Sequence, residues 1–482
     1  MSLALATEGP LDKRCLVVDL DGTLIRSDLL MEMAFGFIGQ SPLAALRLPF
    51  WLWQGRAVLK RRLAEAVPVD VATLPYDEAV LARIRAARAQ GHPVYLASAS
   101  DARVVEAVSA HLGLFDGCFA SDGRINLSGR SKADRLVDAF GEGNFDYIGN
   151  GRIDLPVWER AATAIAVGAS ARVERELARQ KGDFERIASE SSRYGWLRVL
   201  RPHQWAKNVL VGVPLLTAHQ FTPTAIMLTM LAAIAFSLCA SATYILNDLI
   251  DIGPDRGHPT KRMRPFASGE LSFTSGALMA LVCLTVGVSI AALISWRFLA
   301  VLAIYLGLTI AYSLVLKRKM LIDAITLAGL YTVRVVAGGA AIGVPISEWL
   351  LGFSMFMFLS LALVKRYSEL AMRFDAGLPS PTNRNYKLED LPIVAALAAA
   401  SGYCAVIVLA LYLSSDTVRV LYSRPEILWL VCPVLLYWIS RVLMLSHRRL
   451  LHDDPIVFAL KDRVSLLATA VIILLGALAA IP

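Results

Sequence analysis

The chain has 482 residues, is 56% hydrophobic and has a mean hydropathy of +0.55, which excludes an ordinary soluble globular protein of this size. A net charge of +8 and a pI of about 9.2 would suit nucleic acid, but the basic residues of the second half sit at the ends of apolar runs. Positive-inside topology accounts for them, and no nucleic-acid partner is expected. The six cysteines (Cys15, Cys118, Cys239, Cys283, Cys404, Cys432) are isolated, lack the spacing of zinc or redox motifs, and are expected as buried packing residues.

In chain order, residues up to about 195 carry charges throughout and hold no uninterrupted apolar run of about 20 residues, the length a bilayer crossing needs. Met1 to Arg14 lacks an apolar core, so no signal peptide is expected. Cys15-Leu16-Val17-Val18 reads as a short apolar strand that delivers Asp19 and Asp21 at its C-terminal end, where open parallel α/β sheets place their sites. A helical insertion follows near 29–80. Within it, Leu43 to Trp53 sets Phe50, Trp51 and Trp53 beside Arg47 and Arg56. Two readings of that stretch stay open: a cap packing on its own core, and a monotopic contact with the inner leaflet. A second apolar strand, Val94 to Ala97, leads to Ser98, and Tyr147-Ile148-Gly149-Asn150 leads to Asp154. The charged, serine-containing stretch from Gly182 to Tyr194 reads as a junction. We therefore expect a soluble domain over 1–181, a linker over 182–200 and a polytopic membrane domain over 201–482.

Hydropathy predicts nine spans, near 208–222, 226–246, 274–295, 298–316, 321–343, 348–364, 392–413, 426–445 and 464–481, the first being short and interrupted by Pro214. Counted from a cytoplasmic N-terminal domain, the loops after the even-numbered spans are the basic ones. They carry Lys261, Arg262 and Arg264, then Lys317, then Lys365 and Arg366. The same loops hold Asp323, Glu369, Asp453, Asp454 and Asp462, and a metal and phosphate site needs both signs together. This places the chemistry at the cytoplasmic face of the inner membrane. At the end of the second span, Asn247, Asp251 and Asp255 stack oxygen ligands on one face if the helix continues, with Asp248 beside them. Such a set suits Mg²⁺. A solvated loop is the competing reading, disfavoured because carboxylates at a membrane span default to function. Arg334, inside the fifth span, is a candidate for an anionic group or for a structural pair with a buried carboxylate.

Through Asn247-Asp248-x-x-Asp251-x-x-x-Asp255 and the nine-span hydropathy, the second half resembles the UbiA superfamily of intramembrane prenyltransferases. Arg201-Pro202-His203-Gln204-Trp205-Ala206-Lys207-Asn208, His258-Pro259-x-Lys261-Arg262-x-Arg264-Pro265, Tyr312-Ser313-x-x-Leu316-Lys317, Lys365-Arg366-Tyr367-Ser368-Glu369 and Asp454-Pro455-x-x-Phe458-Ala459-x-x-Asp462 look like its decaprenyl-phosphate phosphoribosyltransferase branch. That resemblance implies phosphoribosyl diphosphate as donor and a polyprenyl phosphate as acceptor. Asp251 and Asp255, with Asn247 or Asp248, would hold Mg²⁺ on the departing diphosphate. Lys261, Arg262 and Arg264 would clamp phosphate, and Lys207, Lys317, Lys365 and Arg366 would meet the remaining phosphate charge. The second Asp-rich motif typical of aromatic prenyltransferases of this fold is missing: Asp323 is followed four residues later by Leu327.

Asp19-Leu20-Asp21-Gly22-Thr23, Ser98, Lys132 and Gly149-Asn150 through Asp154 resemble the four ordered motifs of the haloacid dehalogenase (HAD) superfamily. The resemblance implies an α/β Rossmannoid domain in which Asp19 is the nucleophile, Asp21 the acid and base, and Ser98 and Lys132 the phosphate partners, with Asp19, Asn150 and Asp154 at Mg²⁺. Asn150 stands where that family usually has Asp. The expected activity joins the halves: phosphoribosyl transfer to the lipid, then removal of the ribose 5-phosphate. The alternatives are an aromatic prenyltransferase with a regulatory HAD domain and a membrane transporter or ion-binding protein.

Overall fold

All four residues of β1 (Cys15–Val18) are buried, the pattern of a strand covered on both faces by helices. The computed structural model describes residues 14–188, 195–258, 260–381, 384–451 and 455–481. In it β1 lies at the centre of a six-stranded parallel sheet ordered β3-β2-β1-β4-β5-β6, with β2 at Val94–Asp101, β3 at Gly117–Ser121, β4 at Phe145–Gly149, β5 at Ala164–Val167 and β6 at Glu185–Ile187. Val17 is in register with both Tyr95 and Tyr147, which aligns the C-terminal ends of β1, β2 and β4. Strand β6 falls inside the stretch expected as a linker: its backbone pairs with β5, Ile165 against Glu185. Residues 189–194 lie outside the described part.

Local signals explain the helices. Asp28 caps α1 (Leu29–Gln40) by accepting from the Met31 amide at 3.0 Å. The expected insertion continues as a 3₁₀ turn at Ala44–Arg47, α2 (Leu48–Trp53) and α3 (Arg56–Ala66). Then α4 (Glu78–Ala89) is capped by Asp77, and α5 (Ala102–Leu112) starts at Asp101 and stops at Gly113 in the left-handed region. Helices α6 (Arg130–Phe140), α7 (Leu155–Arg160) and α8 (Ala171–Lys181) complete the layer architecture. One apolar cluster joins β1 and β2 to the insertion through Leu24, Leu29, Met33 and Leu63. Another, around Phe145, Tyr147 and Trp158, fills the opposite side.

Among the described residues eight helices are long and apolar enough to cross a membrane: Pro223–Ile250, Phe273–Ile294, Trp296–Leu314, Ile322–Ile342, Glu348–Asp375, Leu388–Leu413, Pro425–His447 and Arg463–Ala480. The expected span at 208–222 is corrected. Ala206–Gly212 is a 3₁₀ turn and Val213–Thr217 a five-residue helix, broken where Gly212 and Pro214 interrupt regular bonding. The expected span 348–364 is extended. Its helix runs on to Asp375, because Lys365 to Phe374 is rich in helix formers even though the apolar run has ended.

The chain divides into two compact units, one comprising residues up to Val199 with Ile245–Met279, the other Leu200–Tyr244 with Ala280 onward. The carboxylate-rich turn expected in the membrane domain therefore groups with the N-terminal unit. A buried ion pair explains this: Arg256 Nη1 and Nη2 donate to Glu32 on α1 at 2.9 and 2.5 Å. In the second unit, one core surrounds Tyr331, Phe358 and Leu361 and another Phe236, Phe298 and Tyr305. All six cysteines are free thiols; Cys118 is exposed, contrary to the packing role expected of it.

Candidate active sites

Asp19 follows β1 directly, and its Oδ1 accepts from Lys132 Nζ of α6 at 2.7 Å. Lys132 also donates to Tyr147 Oη at 2.9 Å, and that hydroxyl donates to Asp154 Oδ1 at 2.8 Å. The three motif residues Asp19, Lys132 and Asp154 are thus joined in one buried network, with Tyr147 of β4 as the link that sequence reasoning missed. Burial, reinforced by Asp154 and Asp21 and opposed by Lys132, pushes the Asp19 carboxyl up to about 7. Burial pulls Lys132 down, but Asp19 and Asp154 outweigh it and leave the ammonium raised.

Asp21 is held from three directions. Its Oδ1 accepts from the Leu29 amide at 2.9 Å, and its Oδ2 accepts from Ser100 Oγ at 2.7 Å and Ser98 Oγ at 3.2 Å. Ser98, expected to meet substrate phosphate, is directed instead at Asp21, and Ser100 shares that task. The alternation Ser98-Ala99-Ser100 puts both hydroxyls on one face of β2, a period-two signal that could have been read. Burial, with Asp28 nearby, raises the Asp21 carboxyl, which favours a group that carries a proton to a leaving oxygen.

Asp154, expected at a metal ion, braces its own loop. Its Oδ2 accepts from the amides of Asn150 and Gly151 at 3.1 and 3.0 Å, and with Tyr147 on Oδ1 only one of its four acceptor positions is left. Asn150 lies against Gly22, where an added Cβ would come within 2.2 Å of the Asn150 amide nitrogen, and Gly22 sits at φ +73°. A second missed residue is Lys60 of α3. It is buried and donates to the Ala99 carbonyl at 2.6 Å and to Asn126 Oδ1 at 2.8 Å. Burial lowers its pKa against the pull of Asp21 and Asp28.

The carboxylate-rich turn keeps its expected helical stacking. The Asp251 amide donates to the Asn247 carbonyl at 2.9 Å and the Asp255 amide to the Asp251 carbonyl at 2.8 Å, so the i, i+4 spacing survives past the end of the long helix. Asp248 and Asp255 are buried and converge on one nitrogen: Arg264 Nη1 lies 3.0 Å from Asp248 Oδ1 and 2.6 Å from Asp255 Oδ2. Burial raises the Asp255 carboxyl, and Arg264 and Lys261, the latter 3.9 Å away, oppose the shift. Arg264, expected on substrate phosphate, here neutralises two carboxylates, while Arg262 is exposed. Among the described residues no three His, Cys, Asp or Glu side chains converge closely enough to hold an ion. The side chains on this turn are nonetheless of the chemical type such an ion takes. Asp248 and Asp255 already share a positive charge, and Asn247 and Asp251 on the same turn add the oxygens a hard divalent ion prefers.

In the second unit Arg366 is held by carboxylates. It is fully buried, with Nε 2.6 Å from Asp323 Oδ2 and Nη1 2.5 Å from Glu369 Oε2, while Tyr386 Oη donates to Asp323 Oδ1 at 2.5 Å. Arg384 also pairs with Glu369. The cation expected on phosphate is therefore committed to an internal network, and so is the lone Asp323. Arg334 behaves differently. Its Nε donates to Asn208 Oδ1 at 3.0 Å, Nη1 to the Leu330 carbonyl at 2.5 Å and Nη2 to Tyr305 Oη at 3.1 Å. Among the described residues no carboxylate pairs with it. Lys207 is buried and lies over the Tyr331 ring at 5.6 Å, a ring that Arg334 also faces at 5.5 Å. Lys317 and Lys365 are half-buried. Asp453 and Asp454 lie outside the described residues.

A parallel-sheet domain with paired aspartates, carried on one chain with membrane-length helices and a carboxylate-rich turn, defines a multi-pass membrane enzyme with a hydrolase-like domain. The chain belongs to the UbiA prenyltransferase family, whose model matches residues 208–467, and residues 16–159 match the haloacid dehalogenase-like hydrolase family. It is 40% identical to an uncharacterized protein of Sinorhizobium fredii over 93% of this chain and 88% of that one. It is 36% identical to nodulation protein NoeC of Azorhizobium caulinodans over 55% of this chain and 87% of that one. Similarity to decaprenyl-phosphate phosphoribosyltransferase of Corynebacterium glutamicum is 36% over 38% of this chain and 57% of that protein. Among solved structures, a UbiA homolog from Archaeoglobus fulgidus bound to GPP and Mg²⁺ aligns with a TM-score of 0.45 at 17% identity, covering 59% of this chain and 99% of that one.

Proposed function

We propose that the protein transfers a 5-phosphoribosyl group from phosphoribosyl diphosphate to a polyprenyl phosphate at the cytoplasmic face of the inner membrane, and that its HAD-like domain removes the ribose 5-phosphate. The observation that carries the reading is the fate of Asp323. Buried between Arg366 and the Tyr386 hydroxyl, it is already neutralised and is poorly placed to hold a second ion on a prenyl diphosphate, as ring alkylation in this fold would ask. Similarity to decaprenyl-phosphate phosphoribosyltransferases supports the same direction.

On this reading Asn247, Asp248, Asp251 and Asp255 hold Mg²⁺, which when bound neutralises charge on the departing diphosphate. Arg264 gives up its carboxylates to that ion and, with Lys261 and Arg262, takes phosphate oxygens. Arg334 and Lys207 meet phosphate charge in the second unit, where no carboxylate among the described residues competes for Arg334. The acceptor phosphate is ionised at neutral pH, so no strong general base is needed. In the HAD-like domain Asp19 attacks phosphorus, Lys132 steadies the carboxylate and the phosphoryl oxygens, and Asp21, held by Ser98, Ser100 and the Leu29 amide, gives its proton to the leaving 5-oxygen and later takes one from water.

The test is incubation of the purified protein with Mg²⁺, phosphoribosyl diphosphate and a polyprenyl phosphate, with the lipid product read by mass. A lipid-phosphate-pentose without 5-phosphate supports both steps, and one that keeps it supports transfer alone. No pentosyl lipid, together with ring alkylation from a prenyl diphosphate, overturns the reading in favour of an aromatic prenyltransferase.

A further inference from the structure

The segment from Leu43 to Trp53 is apolar on two sides. One side, formed by Ala44, Ala45, Leu48 and Trp51, packs on the cap core, with Trp51 and Phe37 rings 5.3 Å apart. The other side is uncovered: Leu43 is 86% exposed, Leu46 79% and Trp53 83%, with Phe50 and Leu52 more than half exposed between them. Cap packing thus accounts for one set of side chains and leaves the second unexplained, and an uncovered cluster of large apolar residues marks an interaction surface.

Charge and position identify the occupant. From Met33 to Ala64 the chain carries Arg47, Arg56, Lys60, Arg61 and Arg62 and no acidic residue. Arg47 lies within the apolar cluster and Arg56 just after it; both are exposed and have no acidic partner among the described residues. Aromatics and leucines beside unpaired arginines suit anionic lipid headgroups over an acyl boundary. The helix leading into the segment also packs on the ends of two membrane-length helices. Phe35 of α1 packs on Phe273 with ring centroids 4.9 Å apart, and a Cβ at Gly39 would lie 2.5 Å from Ile250 Cγ2. Ile250 ends one membrane-length helix and Phe273 begins the next. Leu43 follows only three residues after the end of α1.

We propose that the outer face of Leu43–Trp53 docks on the anionic surface of the bilayer that the chain itself spans, seating Leu46, Phe50 and Trp53 at the headgroup boundary with Arg47 and Arg56 on lipid phosphates. This does not depend on which reaction the protein catalyses.

The test uses the full chain in nanodiscs of phosphatidylcholine mixed with phosphatidylglycerol. In a Cys118→Ser background, Leu46→Cys, Trp53→Cys and, as a control on α6, the exposed Asp138→Cys are labelled with bimane. Nitroxide-labelled phosphatidylcholine is expected to quench the first two several-fold more than the control, with blue-shifted emission. The Arg47→Gln/Arg56→Gln pair should reduce that quenching only when phosphatidylglycerol is present. Quenching no greater than at Asp138→Cys overturns the proposal. So does a probe shielded from water but not quenched by lipid, whose shielding is lost on dilution into excess empty discs, because a second copy of the chain would then cover the face. Unaltered thermal unfolding of the labelled variants confirms that these exposed positions leave the fold intact.

Discussion

Glu32 and Arg256 stand 224 residues apart in the chain and form a buried, two-pronged ion pair at 2.9 and 2.5 Å. Glu32 is on α1, whose first amide, at Leu29, holds Asp21, and Arg256 follows Asp255, which shares Arg264 with Asp248. The acid and base group of one candidate site and the carboxylates of the other are therefore braced by the same short helix. Leaving either partner alone in its buried position should cost about 3–5 kcal/mol. Glu32→Ala is expected to lower the thermal midpoint and to depress both phosphate hydrolysis and lipid transfer. Glu32→Ala with Arg256→Ala should cost less than the sum of the single changes. Strict additivity in that cycle would show that the pair is not coupled.

The HAD-like site gives a pH prediction. With its carboxyl raised to about 7, Asp19 is protonated below that pH and ionised above it, and a divalent ion needs the ionised form. Mg²⁺ binding should therefore release a proton on the acid side of 7, and apparent affinity should fall up to tenfold per pH unit there. Calorimetry in two buffers of different ionisation enthalpy reads the proton directly. Asp19→Asn should abolish both the proton release and 5-phosphate cleavage while lipid transfer persists.

Arg366 and Arg334, both buried arginines of the second unit, should respond differently. Arg366→Ala strands Asp323 and should cost about 3–5 kcal/mol, which puts folding at risk. Arg366→Met with Asp323→Asn removes both charges and should recover most of the loss.

Arg334→Met strands no carboxylate among the described residues but removes a donor from Asn208 Oδ1, the Leu330 carbonyl and Tyr305 Oη, so it should cost about 1–3 kcal/mol, less than Arg366→Ala. Its expected mark is a KM for the phosphorylated donor raised roughly 10- to 100-fold. A collapse of folding with unchanged KM would return Arg334 to a purely structural role.

Lys60 reaches from the cap helix to the Ala99 carbonyl, one residue beyond Ser98. Lys60→Met removes the donor to Asn126 Oδ1 and one of the two donors to the Ala99 carbonyl, which Ser121 Oγ also reaches at 2.7 Å, at a cost of about 1–3 kcal/mol. Hydrolysis of a soluble phosphomonoester should show a raised KM, and an unaltered KM would confine Lys60 to tying cap to core.

Much of this architecture was legible in the residues alone. Eight of nine spans were found because a bilayer demands about 20 apolar residues in a row, a requirement that needs no knowledge of neighbours. The strand before Asp19 was readable from its apolar run, and Ser98, Lys132 and Asp154 from their resemblance to the ordered HAD motifs, which the parallel sheet brings to one end. The stacking of Asn247, Asp251 and Asp255 followed from helical spacing. The partner of each charge was not legible, because an ion pair depends on distance in space and not on sequence separation. Arg366, Arg264 and Arg334 look alike in the sequence, yet one is bound to Asp323, one bridges Asp248 and Asp255, and one sits among tyrosines. The sequence by itself determined a membrane-spanning bundle and a phosphate-handling α/β domain, through local periodicity and composition. Only the tertiary structure decided which cations are held by carboxylates, through pairings such as Glu32 with Arg256 that span most of the chain.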